Sequence, residues 1–93
     1  MIYDTFINFG NFELNKVIIV DHTSSYIGGR LVRVANPENP DENLTIIFDK
    51  IGVDIENLRR TRKLINIKGS IWKNPKTHKT LYILEDSNGV ELV

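Results

Sequence analysis

Apolar and polar residues alternate most regularly between Leu64 and Trp72, where Ile65, Ile67, Gly69 and Ile71 share one parity and Asn66, Lys68, Ser70 and Trp72 the other. Successive side chains of a strand point to opposite faces, so this period of two predicts a strand with one buried face. Val17-Ile18-Ile19-Val20 is a β-branched run too short for a helix and is followed by the polar stretch Asp21 to Ser25. It predicts an earlier strand. Gly28-Gly29 then permits a tight turn, and Arg30-Leu31-Val32-Arg33-Val34 reads as a second strand pairing with the first; Val32 and Val34 share one face, Leu31 and Arg33 the other. Leu44-Thr45-Ile46-Ile47-Phe48 is apolar at nearly every position, which predicts a third strand covered on both faces or lying at a seam, with Phe48 in the core.

The segment from Asn36 to Asn43 holds Pro37 and Pro40, which cannot donate to a ladder, and is expected to be a loop. Asp54 can cap a helix of about two turns over Ile55 to Arg60, with Ile55 and Leu58 pointing the same way. After the alternating strand, Asn74 to Lys79 reads as a polar hairpin loop and Thr80 to Glu85 as a fifth strand. Asp86 to Gly89 turns the chain again, and Val90 to Val93 either finishes a strand pairing or covers one end of the fold. Tyr3, Phe6, Phe9 and Phe12 recur every three residues before the first strand, while Gly10 and Asn11 argue against one continuous helix. Residues 1–15 are expected to be an aromatic-rich extension packed on the body as a plug, with docking of a partner subunit as the rival reading. No repeat or linker divides the chain, so residues 1–93 are expected to form a single domain.

Composition narrows the classes. The chain has no cysteine, which excludes a disulfide scaffold, a thiolate metal site and a cysteine nucleophile. There is no basic leader followed by an apolar run and no long apolar stretch, so an intracellular, cytoplasmic protein without a membrane segment is expected. His22 and His78 are the only histidines, and no metal-ligand spacing is present. Asp21 and His22, as neighbours on a strand, would point to opposite faces, so a loop Asp and a solvated His are the better reading. Neither an enzyme nor a cofactor or metal is expected.

The twelve basic and twelve acidic residues cancel in sum but not in position. Residues 1–58 hold four basic and nine acidic residues, residues 59–84 hold eight basic and no acidic ones, and three acidic residues follow. A solvated face is the plain reading of such a block. Interleaved with Trp72, His78 and Tyr82, it is better explained as a face for an anionic ligand, because cations hold phosphates while aromatic rings accept stacked bases.

The order of strands and helix is that of a five-stranded OB-fold Greek-key barrel, mainly β, with one short helix between strands three and four. Leu64-Ile65-Asn66-Ile67-Lys68-Gly69-Ser70-Ile71, the basic loop after it, and Leu81-Tyr82-Ile83-Leu84-Glu85-Asp86 resemble the fourth strand, loop and fifth strand of single-stranded nucleic-acid-binding OB domains. That resemblance covers roughly residues 16–93. It implies a binder of single-stranded DNA, or of RNA, in replication or repair. Bacterial single-stranded-DNA-binding proteins of this kind continue into an acidic-ended tail, whereas this chain stops at Val93; a compact relative from a mobile element, a virus or a multi-subunit complex is the expectation. The first strand lacks the family's apolar, any, apolar, Gly pattern.

In such folds the ligand crosses strands two and three between the first and the fourth-to-fifth loops. The resemblance therefore nominates Lys73, Lys76, His78 and Lys79 on the later loop, Tyr26 in the first loop, and Arg30 and Arg33 on the sheet. Lys68 and Trp72 share the outward parity of strand four, with Trp72 as a stacking platform or, alternatively, a cover for an edge. Tyr82 reads equally as core and as surface. Arg62 belongs to a set with Arg59, Arg60 and Lys63, part of which can complement the helix dipole. An OB module that binds an acidic protein, as a subunit or adaptor, is the alternative function, and a homo-oligomer is compatible with either.

Overall fold

The computed structural model describes residues 5–24, 29–49 and 51–93. Six strands and one α-helix follow in the order β1 (Ile7–Ser24), β2 (Arg30–Ala35), β3 (Asn43–Phe48), α1 (Ile55–Thr61), β4 (Ile65–Lys73), β5 (Thr80–Leu84) and β6 (Val90–Leu92), with a 3-10 turn over Ser87–Gly89. Strand neighbours run β1-β2-β3-β5-β4, and β4 pairs again with β1, so five strands close a ring. β6 adds to β4 beside Ile65 to Ile67, while β5 takes the far end of the same strand over Ser70 to Lys73. The parallel seam between β3 and β5 is the narrowest, resting on Ile47 opposite Ile83 and Phe48 opposite Leu84.

β1 begins ten residues earlier than the apolar run suggested, at Ile7. Its first half pairs with β4, from Ile7 opposite Lys73 to Val17 opposite Ile65, and its second half pairs with β2. One strand can serve both neighbours because register shifts at Asn8/Gly10, Leu14/Val17 and Ile19/Asp21 bend it. At the middle shift Lys16 takes a positive φ of 55°, and its amide donates to the Asn66 Oδ1 at 2.9 Å. Phe9 and Phe12 thus lie on a paired strand, with Phe12 packed on the core, where the sequence pattern suggested a plug; Tyr3 lies outside the described residues. The irregularities of the strand explain why period-two counting missed it.

The core fills the inside of the ring with Val17, Ile19, Val32, Val34, Ile46, Phe48, Ile65, Ile67 and Leu84. Helix α1 adds Ile55 and Leu58 to the same cluster. Asp54 caps the helix through its side chain, which accepts from the Asn57 amide at 3.0 Å, and Arg62 ends it in the left-handed region at φ 52°. Gly69 matters for a close approach. A Cβ there would lie 2.6 Å from the Phe12 ring and 2.5 Å from the Ile83 carbonyl oxygen, so only glycine lets Phe12 lie on β4.

Candidate functional site

A second, smaller apolar cluster lies apart from the core: Ile47 and Ile83, with Leu31, Trp72 and Leu81 packed on them. The registers join these residues across the sheet, with Leu31 opposite Ile47, Ile47 opposite Ile83, and Trp72 opposite Leu81. Arg33 has the strand parity of Leu31 and lies opposite Thr45. Asp21, Thr23, Leu31, Arg33 and Thr45 line a recess of about 150 Å³. The result is a face across β2, β3, β5 and β4 with an apolar floor and a polar flank.

The loop from β4 to β5 borders this face and is held by its own hydrogen bonds. The Asn74 Oδ1 accepts from the amides of Lys76 at 2.9 Å and Thr77 at 3.2 Å, the His78 amide donates to the Asn74 carbonyl at 2.8 Å, and His78 adopts φ 62°. Lys76, His78 and Lys79 are exposed on it. A loop held in one shape by its backbone presents cations without ordering itself on binding.

The nominated residues separate on inspection. Lys76, His78 and Lys79 are exposed on the β4–β5 loop, and Lys73 is the last residue of β4. Trp72 is half-buried, and its indole Nε1 is buried with no hydrogen-bond partner among the described residues, so the ring is a wall of the apolar floor and not a free platform. Tyr82 faces the core, where it meets Phe12 edge to face at 5.4 Å between centroids. Arg30 shares its parity with the buried Val32 and Val34, and its Nε donates to the His22 Nδ1 at 3.0 Å. It is therefore half-buried and held toward His22, not displayed on the outer face of the sheet with Arg33. Arg33 is exposed but ion-paired with Asp21, whose carboxyl that guanidinium holds below its ordinary range, helped by the His22 amide. Lys68 is exposed opposite Glu13 and shares a cleft of about 460 Å³ with Glu13, Glu85 and Asp86, which offset its charge. Tyr26 lies outside the described residues.

Arg62 stands with Arg59 and Arg60 in a pocket of about 410 Å³ floored by Ile19, Val20 and Pro40. β4 lies between that group and the lysine loop. Eight residue steps at about 3.3 Å put roughly 26 Å between the two ends of this strand. The block that is continuous in sequence is thus two basic regions in space, where the sequence suggested one face for an anionic ligand.

Two features had no clear sequence signal. His22 lies on β1, and its side chain is only 15% exposed, which corrects the reading of a solvated ring. Arg30 donates to Nδ1, so the neutral ring carries its proton on Nε2 and donates it to the Glu56 Oε2 at 2.6 Å. Glu56 also takes Arg59 in a two-pronged contact, and Arg59 before His22 lowers its pKa from the ordinary 4.5 to about 2. Glu56 in turn raises the Arg59 pKa. Asp21 and His22 do point apart, one to Arg33 and the other to Glu56. The second feature is Phe9, 63% exposed, with the Lys73 Nζ 4.4 Å from its ring centroid.

Among the described residues no group of three His, Cys, Asp or Glu side chains could hold a metal ion, and no helix is long and apolar enough to cross a membrane. No family model, curated protein or solved structure matches the chain. The functional reading therefore rests on side-chain geometry.

Proposed function

We propose that the protein is a non-catalytic binder of single-stranded nucleic acid, DNA in the first instance, built on an OB-type Greek-key barrel. The strand ring, with its helix between β3 and β4, has the order of that fold and supports the assignment. The observation that carries the function is the ordered β4–β5 loop, which displays Lys76, His78 and Lys79 at the end of the sheet where Trp72 and Leu81 lie opposite one another, with Lys73 closing β4 just before it. Cations there neutralise phosphates, and the apolar floor accepts unpaired bases that a duplex keeps stacked.

Each neutralised phosphate contributes a slope of about −0.7 to the dependence of log affinity on log salt, so about four contacts give about −3. Replacing Lys73, Lys76 and Lys79 together by Ala is expected to bring the slope near −1 for oligo-dT. An unchanged slope removes the loop from the site. Mobility shifts with single-stranded DNA, single-stranded RNA and duplex probes at about 0.15 M salt separate the ligands, and binding to none of them overturns the reading.

A protein-binding adaptor is the second reading, favoured by one observation. Trp72 is packed into an apolar cluster in the manner of an interface anchor, with its ring held by neighbours. An adaptor binds none of the three probes.

A further inference from the structure

Phe9 is the extra residue of the first bulge in β1: Asn8 lies opposite Trp72 and Gly10 opposite Ile71, which leaves Phe9 opposite no residue of β4. Gly10 holds φ 154°, a backbone state that side chains rarely adopt. Bulges re-aim side chains, and this one turns to solvent an aromatic ring that a regular ladder would pair. Exposure of 63% makes Phe9 the most exposed of the large apolar side chains in the described residues, and Ile7 beside it is 57% exposed. The ring is nonetheless not loose, because the Lys73 ammonium sits 4.4 Å from its centroid. Across the sheet Ile7 lies opposite Lys73 and Lys73 opposite Thr80, so the ring stands where the lysine loop leaves the sheet.

We infer that Phe9 and Lys73 form a nucleobase subsite, in which the phenyl ring stacks one unpaired base and the ammonium holds the phosphate next to it. The inference rests on the single-strand reading and adds to it the residue that does the stacking. The occupant follows from charge and shape together. A ring exposed beside an ammonium, next to a loop that carries no acidic residue, suits a flat, neutral group attached to an anionic chain, and a nucleotide within a single strand is both. A duplex offers the phosphates without a free base.

The test compares oligo-dT of about 15 nucleotides with an abasic strand of equal length, which keeps the phosphates and lacks the bases. Phe9→Ala is expected to weaken oligo-dT binding by about 5- to 150-fold, the range for one base on one aromatic ring. Binding of the abasic strand and the salt slope stay unchanged. Phe9→Leu keeps apolar bulk without an aromatic face and is expected to behave like Phe9→Ala, whereas Phe9→Trp retains binding. Equal weakening on both strands, or full oligo-dT affinity in Phe9→Ala, overturns the subsite while the single-strand reading stands. Wild-type protein that binds neither strand overturns both. Phe9 is exposed, so its thermal midpoint serves as the check that each variant is folded.

Discussion

At the residue scale, Glu56 carries the most consequential single charge. It takes Arg59 on its own helix and His22 on β1, so one carboxylate fastens α1 to the strand that runs beneath it. Arg59 first and His22 second lower its pKa from 4.5 to about 2. A carboxyl depressed on folding contributes stability that is complete above its ordinary pKa and disappears as pH falls toward its folded one. The thermal midpoint of the wild type is therefore expected to drop as pH goes from about 5 to 2. Glu56→Gln should start lower at neutral pH and lose less over that window, converging with the wild type in acid. Parallel curves for the two proteins would show that Glu56 is not the group responsible. His22 gains a different meaning from the same contacts: with Arg30 on one nitrogen and Glu56 on the other, it is a structural tie, and its ring offers no free lone pair.

At the scale of elements, the β4–β5 loop owes part of its shape to one amide side chain. The Asn74 Oδ1 takes the amides of Lys76 and Thr77, and removing it leaves the loop's charge and its backbone closure intact while the segment from Lys76 to Thr77 is less firmly held. Asn74→Ala is expected to weaken oligo-dT binding by about 2- to 10-fold, the cost of ordering an element on binding, with no change in salt slope. Titration at several salt concentrations reads both quantities. A changed slope would mean that Asn74 acts on the phosphates themselves. The contrast with the lysine substitutions separates the shape of the loop from its charge.

Legibility from sequence also divides by element. β2, β3, α1, β4 and β5 were readable because each keeps its period or its cap: Asp54 begins the helix, and Ile65 and Ile67 alternate with polar residues on a strand buried on one face. β1 was readable only from Val17 onward. Before it, two register shifts interrupt the parity on which such counting depends, and Gly10, Asn11 and Asn15 are residues that strands disfavour. The site was legible to the same degree. Lys76, His78 and Lys79 follow one another in the chain and share one hydrogen-bonded loop, and Lys73 ends the strand before it. Tyr82 and Trp72 each stayed open between two readings, and Arg30 was set on the wrong face, because parity tells which side chains share a face, not how deeply that face is covered. Phe9 and the His22–Glu56 contact depend on pairings across 64 and 34 positions, which no local pattern carries.

At the scale of the whole molecule, charge is distributed along β4 and not gathered at one pole. The arginines at the end of α1 and the lysines after β4 stand about 26 Å apart by strand length, beyond the reach of two or three nucleotides. For a strand of about three nucleotides, replacing Arg60 and Arg62 by Ala is expected to leave the salt slope as in the wild type, in contrast to the lysine variant. A slope that falls in both would place the strand across the whole length of β4.

The shared strand β1 has a consequence for how the chain is made. Its second half meets β2 almost at once, since Ser24 and Arg30 are six positions apart, and this hairpin needs only local contacts. The first half has no partner until β4 emerges from the ribosome, about fifty residues later at Val17 and Ile65 and more at Ile7 and Lys73. Throughout that interval Phe9, Phe12 and Leu14 form an unpaired apolar edge on a nascent chain, the type of segment that seeks a substitute partner. Completing the ring is thus a late event in synthesis, and the part of the protein that waits longest is the one that carries Phe9.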